Sequence, residues 1–302
     1  MLPTLLFFLS MWACVDEQPA SNNVGDPDYN FRYDVDRPDR EIELPDELEE
    51  ISGLSMSPMG EHILGVQDEE GIVFYIDPEN GKIRREIEFW KDGDYEGIEA
   101  VGEAVFVVKS SGTLYQIRRI GQPDQRVDKF NYFLDSDYDV EGLGWDSLEN
   151  RLLIACKAKA GEGEEYRMKK AIYSFNLETL VIEEQPAFLI SLQDVHDYLS
   201  TSPAIRRLEK LWEFFQPNES EFTFAPSALA VHPFTGEIYI ASNAGKLILI
   251  LGRDGKIRHI EKLDKDIHPQ PEGLCFDRKG NLYIANEGKG TDPRIFIYNY
   301  RL

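Results

Sequence analysis

A block of about 45 residues recurs along this chain and constrains its fold more than any other feature. Each copy begins with a small or acidic residue, then Gly or Ala, then Ile or Leu, and continues through a polar turn into an apolar run. The copies begin at intervals of 44, 45, 86 and 45 residues, at Ser52, Glu96, Glu141, Ser227 and Glu272. Repeats of this length with four short strands are typical of propeller blades. The sequence therefore predicts an all-β, five-bladed β-propeller.

The two chain ends supply the parts of one blade. The fifth copy stops after its third strand, at residues 294–298, and a candidate fourth strand lies near the N-terminus, at residues 40–44. Pairing these segments would close the ring and cover an otherwise exposed strand edge. We therefore expect an N-terminal strand to complete the last blade of a propeller domain spanning residues 31–302.

The long interval between the third and fourth copies indicates an insertion, which we assign to residues 158–224. Apolar residues recur in its second half at near-helical spacing, at Val195, Leu199, Leu208, Leu211, Trp212 and Phe215. This spacing predicts one or two amphipathic helices. Such helices either cover the propeller or bind a partner.

The N-terminus is typical of a targeting segment. Residues 1–13 are mostly apolar but too few to span a bilayer as a helix, so they are predicted to be a signal peptide. Cys14 directly follows Ala13, an arrangement that resembles a bacterial lipobox, in which the thiol is lipidated. Residues 14–30 would then form a flexible tether. We expect a lipid-anchored membrane protein of the bacterial cell envelope, facing the periplasm or the cell surface; the alternative is a cleaved signal with an incidental cysteine.

Charge and cysteine usage narrow the function further. The chain carries 55 acidic and 32 basic residues, a formal net charge of −23. Such a surface repels phosphate backbones, which argues against nucleic-acid binding, and it tolerates divalent cations. Cys156 and Cys275 lie in apolar runs and are expected to be buried free thiols.

The first residues of the five copies are candidates for chemistry. The first strand of each propeller blade lines the central channel, so equivalent positions converge on one axis. Glu96, Glu141 and Glu272 would then repel one another, and leaving all three ionised without a counter-charge would be costly. A hard cation with oxygen ligands, such as Ca²⁺, is the natural compensation.

A second set of polar residues follows the second strand of each copy: Asp68, Glu69, Lys109, Ser110, Lys157, Ser242, Asn243, Asn286 and Glu287. Its acidic and amide members, namely Asp68, Asn243, Asn286 and Glu287, could complete a metal shell. Lys109 and Lys157 offer an alternative, because they could neutralise Glu96 and Glu141 directly. A cation site and an ion-paired channel both remain open at this point.

Other catalytic patterns are weak. The five histidines lack zinc-site spacing, and neither a P-loop nor a dinucleotide-binding glycine pattern occurs. His268, in a Pro-rich loop before Glu272, is either an acid or base at the channel mouth or an inert loop residue. Trp90 and Trp145 are interpreted as packing between blades.

Several motifs together resemble the SdiA-regulated (YjiK-like) family over about residues 42–302. They are the segment Leu48-Glu49-Glu50-Ile51-Ser52-Gly53-Leu54, the later Glu-Gly-Ile and Glu-Gly-Leu copies, and Pro226-Ser227-Ala228-Leu229-Ala230-Val231-His232-Pro233. The resemblance implies a five-bladed propeller distantly related to NHL-repeat proteins, with bound calcium, membrane or envelope association and no established activity. It places calcium at Glu96, Glu141 and Glu272, with Asp68 and Asn286 as further ligands. Ser227 departs from the acidic pattern.

Two functional hypotheses follow. The first is a calcium-binding envelope lipoprotein that binds a small-molecule or protein ligand. The arrangement also looks, more distantly, like calcium-dependent lactonases and esterases with six-bladed propellers. The alternative is therefore a hydrolase of lactones or phosphoesters that uses the channel cation as a Lewis acid. Fold similarity alone does not confer that activity.

Overall fold

The fold was obtained as a computed structural model, which describes residues 29–202, 205–216 and 222–301. The predicted signal peptide, Cys14 and most of the tether lie outside the described residues. No helix within the described ranges is long and apolar enough to cross a bilayer.

Strand β1 (Arg40–Glu43) precedes five antiparallel sheets, which are the blades. Blade one contains β2 (Ile51–Met56), β3 (Ile63–Gln67), β4 (Ile72–Ile76) and β5 (Ile83–Glu88). Blade two contains β6 (Tyr95–Val101), β7 (Ala104–Lys109), β8 (Leu114–Arg118) and β9 (Arg126–Phe130). Blade three contains β10 (Val140–Asp146), β11 (Arg151–Cys156), β12 (Lys169–Asn176), β13 (Val181–Ile182) and β14 (Phe188–Ser191). Blade four contains β15 (Pro226–Val231), β16 (Ile238–Ser242), β17 (Leu247–Leu251) and β18 (Ile257–Lys262), and blade five contains β19 (Pro271–Phe276), β20 (Leu282–Asn286) and β21 (Arg294–Tyr298).

The ring closes as predicted. β1 pairs with β21 in antiparallel register, with Ile42 opposite Ile295, so the N-terminal strand is the fourth strand of blade five. The innermost strands contact one another in the order β2, β6, β10, β15 and β19, and β19 contacts β2 again. The five-bladed, all-β prediction is confirmed.

The Gly of the repeated motif lets neighbouring blades approach closely. A Cβ on Gly97 would lie 2.8 Å from the Cβ of Leu143, and one on Gly273 would lie 2.9 Å from the Cγ of Leu54. Each of these glycines therefore packs against the Leu of the same motif in the next blade. Larger side chains would push the innermost strands apart, because protein interiors are close-packed.

Both faces of a blade are covered by its neighbours, which explains why whole strands are apolar. All five residues of β17 are buried, as are all five of β16. Cys156 and Cys275 are buried and free, as expected from their apolar surroundings. The core is thus a set of blade-to-blade layers around the channel.

The segment 158–224 is only partly additional to the blades, because it includes β12, β13 and β14 of blade three. The predicted helices are present as α1 (Leu192–Thr201) and α2 (Leu208–Phe214). A reciprocal pair of hydrogen bonds between Ser191 and Asp194 caps the start of α1. Val195 and Leu211 are fully buried in a cluster with strands of blades three and four, so these helices cover the propeller.

Candidate functional site

A β-bulge occurs at the first residue of all five copies. The pairing of each innermost strand with the next strand shifts register across Ser52, Glu96, Glu141, Ser227 and Glu272, which we call the anchor residues. A bulge leaves one residue unpaired and redirects its side chain, and bulges are frequent beside functional sites. The fold therefore repeats one backbone irregularity five times around the channel, where the sequence varies between Ser and Glu.

The three anchor glutamates repel one another in a poorly solvated place. Burial, then the charge of Glu141, raises the pKa of Glu96 to about 10. Burial, then Glu141 and Glu287, raises the pKa of Glu272 to about 8. These shifts mean that the fold disfavours full ionisation of the cluster. The mutual repulsion indicates that Glu96, Glu141 and Glu272 lie near one another around the channel, and we call this end of the channel the acidic mouth.

Lys157 is the cation that directly contacts an anchor glutamate. Its Nζ donates to Glu141 Oε1 at 2.7 Å and lies 3.8 Å from Asp139 Oδ2. Burial raises the pKa of Glu141, but Lys157 limits the rise to about 7. Burial alone would lower the pKa of Lys157, yet Glu141 offsets it and the net pKa is raised. Direct neutralisation by a lysine, the alternative to a cation site, therefore applies to Glu141.

Glu272 is held by an amide rather than by an ammonium. Asn243 Nδ2 donates to Glu272 Oε1, and Lys246 Nζ donates to Asn243 Oδ1. Nearby, Glu287 Oε2 forms an ion pair with Lys289 Nζ at 2.9 Å. Counter-charge is thus concentrated on the side of the mouth formed by blades three to five.

The two anchor serines hold blades together. Ser52 Oγ donates to the carbonyl oxygen of Tyr95 at 2.6 Å, and Ser227 Oγ donates to that of Pro271 at 2.7 Å. Each bond joins an innermost strand to the residue just before the next anchor. The absence of a carboxylate at these two positions has a structural explanation, since the hydroxyl satisfies a buried carbonyl.

The side of the mouth formed by blades one and two is rich in carboxylates. Asp68 Oδ1 is buried and has no hydrogen-bond partner among the described residues. Burial, followed by the charge of Glu50, raises the pKa of Asp68 to about 6. Lys109 does not pair with Glu96: its Nζ lies 5.3 Å from the ring centroid of Tyr95, and no ion pair joins it to a described carboxylate.

Asn286 belongs to an internal network. Its Nδ2 donates to His268 Nδ1 at 3.1 Å, and its Oδ1 accepts the backbone N–H of Gln270 at 3.3 Å. His268 Nε2 in turn lies 2.7 Å from the hydroxyl of Tyr298. Burial lowers the pKa of His268 to about 3, so the histidine is neutral. His268 is a core residue here, and both polar ends of Asn286 are already engaged.

The acidic mouth has the donor chemistry of a hard-cation site without a finished ligand cluster. Within the ranges the structure describes, no three His, Cys, Asp or Glu side chains converge as a metal-binding group. Asp68 Oδ1 nevertheless lacks a hydrogen-bond partner among the described residues, and burial and repulsion disfavour the ionised form of Glu96. Both observations fit a bound cation that takes oxygen ligands. The residues of the acidic mouth match such a cation in their charge and in the type of their donor atoms.

Sequence reasoning missed Glu99 and the cavity around it. Glu99 follows Glu96 on β6 and faces the opposite end of the channel, where residues of all five blades line a cavity of about 880 Å³. Its carboxylate accepts bonds from Ser55 Oγ at 2.7 Å and from the backbone N–H of Trp145 at 3.2 Å. Trp145, interpreted above as packing between blades, is 37% exposed beside it. The available signal was position, since Glu99 stands three residues after an anchor.

Comparison with solved structures finds the same kind of fold. Glutaminyl cyclase from Myxococcus xanthus is 11% identical, with a TM-score of 0.53 over 88% of this chain and 96% of that chain. The PQQ-bound aldose sugar dehydrogenase from Streptomyces coelicolor is 12% identical, with a TM-score of 0.49 over 87% and 97% of the two chains. The first likeness shows a shared fold and carries no information on activity. No curated protein matches this sequence significantly.

A family model gives the more specific result. The SdiA-regulated model matches residues 23–296, most of the chain, and this confirms the resemblance seen in the motifs. The repeated Glu-Gly-Leu motif has a physical role in that fold, because its first residue lies at the bulge and its Gly makes the close contact with the next blade. The chain therefore belongs to the SdiA-regulated family.

Proposed function

We propose that this protein is a calcium-binding β-propeller lipoprotein of the bacterial cell envelope that binds a small-molecule or protein ligand at its channel. The observation that carries the proposal is the charge imbalance of the acidic mouth. Glu96, Glu141 and Glu272 are gathered by their bulges, and Lys157 is the ammonium that contacts one of them directly. A divalent cation would supply the remaining counter-charge.

Calcium suits this site better than a soft metal, because the available donors are carboxylate and amide oxygens. Glu96 and Asp68 would be the principal ligands, since neither is neutralised by a described cation. Glu141, Glu272 and Asn286 would contribute less, because Lys157, Asn243 and His268 already engage them. A cation there would offset the burial and the repulsion by Glu141 that together raise the pKa of Glu96.

Thermal unfolding with calcium or with a chelator tests the metal. A ligand at 100 times its Kd stabilises the native state by about 2.7 kcal/mol, which corresponds to a midpoint rise of roughly 5 °C for a domain of this size. Glu96→Gln should remove most of that rise. Glu103→Gln, which neutralises an exposed carboxylate on the β6–β7 turn, is the matched control and should retain it.

A different result would favour the ion-paired channel. If the midpoint is the same in calcium and in chelator, and elemental analysis finds no metal in the purified protein, the calcium assignment is wrong. Lys157 and solvent would then be sufficient to balance the mouth. Because the measurement uses unfolding, its outcome does not depend on knowing the ligand.

The lipid anchor is tested separately. Cys14→Ser should release the protein from membranes and abolish incorporation of labelled palmitate, while Ser21→Ala, in the same segment, should leave both unchanged. Continued membrane retention of Cys14→Ser would contradict the anchor. Neither result bears on the calcium site.

A calcium-dependent hydrolase of lactones or phosphoesters is the second candidate, favoured by one observation. Burial raises the pKa of Glu272 to about 8, and Glu141 beside it accepts Lys157 Nζ at 2.7 Å, so two carboxyl groups with different partners stand together. Bound calcium would supply Lewis-acid polarisation of a carbonyl or phosphoryl oxygen. Glu272→Gln should then abolish turnover of a lactone and aryl phosphate panel. No metal-dependent turnover by the wild-type protein would remove this candidate.

A further inference from the structure

The cavity at the end of the channel opposite the acidic mouth, which we call the far cavity, has the size and surface of a ligand site. Its volume of about 880 Å³ lies within the range of small-molecule pockets. Four of the seven large hydrophobic side chains that are exposed among the described residues line it, namely Met59, Trp145, Leu148 and Phe234. That concentration sets this opening apart from the rest of the described surface, where such residues are scattered.

Glu99 is the charged residue among the five channel-lining residues at the bottom of the far cavity, which we call its floor. The positions three residues after the anchors are Ser55, Glu99, Gly144, Ala230 and Cys275. Gly144 and Ala230 are small, with Gly144 packed closely against Leu229, and Cys275 is a buried thiol. No ion pair joins Glu99 to a cation in the described part of the chain. A carboxylate therefore lies among small and apolar neighbours without a counter-charge.

The hydrogen bonds of Glu99 leave room for one more donor. Oε1 accepts the hydroxyl of Ser55 and the backbone N–H of Ala100, at 2.7 and 3.1 Å. Oε2 accepts the backbone N–H of Trp145 at 3.2 Å. A carboxylate has about four acceptor sites, so Oε2 retains a free one. The same Trp145 lines the cavity and is partly exposed there, and its backbone nitrogen lies 3.2 Å from that oxygen.

We propose that the far cavity binds a small organic cation, an amine carried on an aromatic or aliphatic body, with its ammonium at Glu99 and its apolar part against Trp145 and Phe234. An ammonium would donate to Oε2 and supply the missing counter-charge. An indole beside it would add a cation–π attraction of about 0.5–2 kcal/mol. An anion would instead meet an uncompensated carboxylate at the floor.

The basic residues at the rim do not change this choice. Arg278 and Lys279 are exposed, so their charges are screened by solvent, and Arg40 pairs with Glu79. Asp146, also lining the cavity, is paired with Arg151 and Arg253. The carboxylate of Glu99 is thus the charge that a ligand at the floor of the far cavity would meet without a competing basic side chain.

The far cavity is separate from the proposed calcium site. Glu96 and Glu99 are three residues apart on one strand, which places their backbones about 10 Å apart along the channel. Binding of the organic cation therefore does not require metal, and it is measured in chelator. A failure of the calcium proposal leaves this inference standing, and the reverse also holds.

Calorimetry with three matched probes in EGTA, at about pH 8 so that Glu99 is ionised, tests the proposal. The probes are 2-phenylethylamine, 2-phenylethanol and 3-phenylpropanoate, which share an aromatic body and differ in charge. We expect the amine to bind at least about tenfold more tightly than the alcohol, and the carboxylate to bind most weakly. Equal binding of the three probes, preference for the carboxylate, or no binding of the amine would overturn the proposal.

Variants locate the binding. Glu99→Gln should reduce the affinity for the amine to that for the alcohol, and Trp145→Leu, which keeps the backbone donor to Glu99, should weaken both probes. Glu103→Gln is the charge-matched control outside the cavity and should bind as the wild type does. Unchanged amine affinity in folded Glu99→Gln or in Trp145→Leu would contradict the site.

Discussion

Lys157 Nζ lies 2.7 Å from Glu141 Oε1 and is the closest counter-charge to any of the three anchor glutamates. The contact joins the end of β11 to the bulge of β10 within blade three. Direct neutralisation by a lysine therefore explains the acidic mouth at Glu141, one of the three anchor glutamates. Glu96 and Glu272 stay without a direct ammonium partner among the described residues, and the proposed cation would supply the counter-charge for these two.

Lys157→Gln should destabilise the protein while strengthening its response to calcium. Removing the ammonium leaves Glu141 buried beside other carboxylates, and because Lys157 is partly exposed we expect a loss of about 1–2 kcal/mol. A cation that binds the mouth would then meet less competition, so the calcium-induced midpoint rise should increase. Lys159→Gln, which breaks an exposed pair with Glu162, is the control. A calcium response that is unchanged in Lys157→Gln would argue against a shared site.

Gly97→Ala should cost about 1–3 kcal/mol of unfolding free energy, measured by urea denaturation. Its Cβ would lie 2.8 Å from the Cβ of Leu143, in the contact between blades two and three. Ala228 occupies the same motif position in blade four, so Ala228→Gly is the matched control. We expect that control to lose only about 0.5–1 kcal/mol, through backbone freedom. Equal losses would mean that close blade approach is not what the motif glycine provides.

Ser227→Ala should lower stability by about 1–3 kcal/mol without altering the response to calcium. The hydroxyl donates to the carbonyl of Pro271 and accepts the backbone N–H of Asn243, both in a buried setting. If Ser227 were instead a metal ligand, the alanine variant would respond less to calcium. Comparing its melts in calcium and in chelator distinguishes the two roles.

Glu99 should make the protein less stable as pH rises. Burial raises its pKa to about 7 from an ordinary 4.5, although Ser55 and the N–H of Trp145 oppose the shift. The folded state therefore binds more protons than the unfolded state between about pH 4.5 and 7, and the contribution of Glu99 to stability falls across that window. Glu99→Gln cannot titrate, so the wild-type minus variant difference in unfolding free energy should decrease from pH 5 to pH 8. A difference that is flat with pH, measured in chelator, would contradict the buried carboxylate.

The repeat spacing was enough to predict the architecture, because blade number, strand order and ring closure all follow from where the motifs recur. The Glu96, Glu141 and Glu272 cluster also followed, since equivalent positions of a propeller must meet at its axis. The segment 158–224 was harder to interpret, because β12 belongs to the blade although its sequence lies beyond the expected interval. Strand pairing at that distance is decided by packing against the neighbouring sheets.

Side-chain roles depended on contacts that no spacing reveals. Lys109 and Lys157 belong to the same polar set but stand one register position apart, because Lys109 pairs opposite Tyr95 whereas Cys156, just before Lys157, pairs opposite Val140. Lys157 reaches a carboxylate, while Lys109 lies against Tyr95. Asn286 resembled a ligand, but its amide is engaged by His268 and the backbone of Gln270. The choice between such partners depends on distances of a few ångströms set by neighbouring blades.

By itself, the sequence determined the 45-residue block, its five copies and the ends that complete one another, because periodicity is a property of the chain. The tertiary structure alone decided that every block begins with a bulge, that the motif glycine touches the next blade, and that Glu99 faces a cavity of its own. These features are contacts between blades, and each arises only when residues about 45 positions apart are brought side by side around the axis.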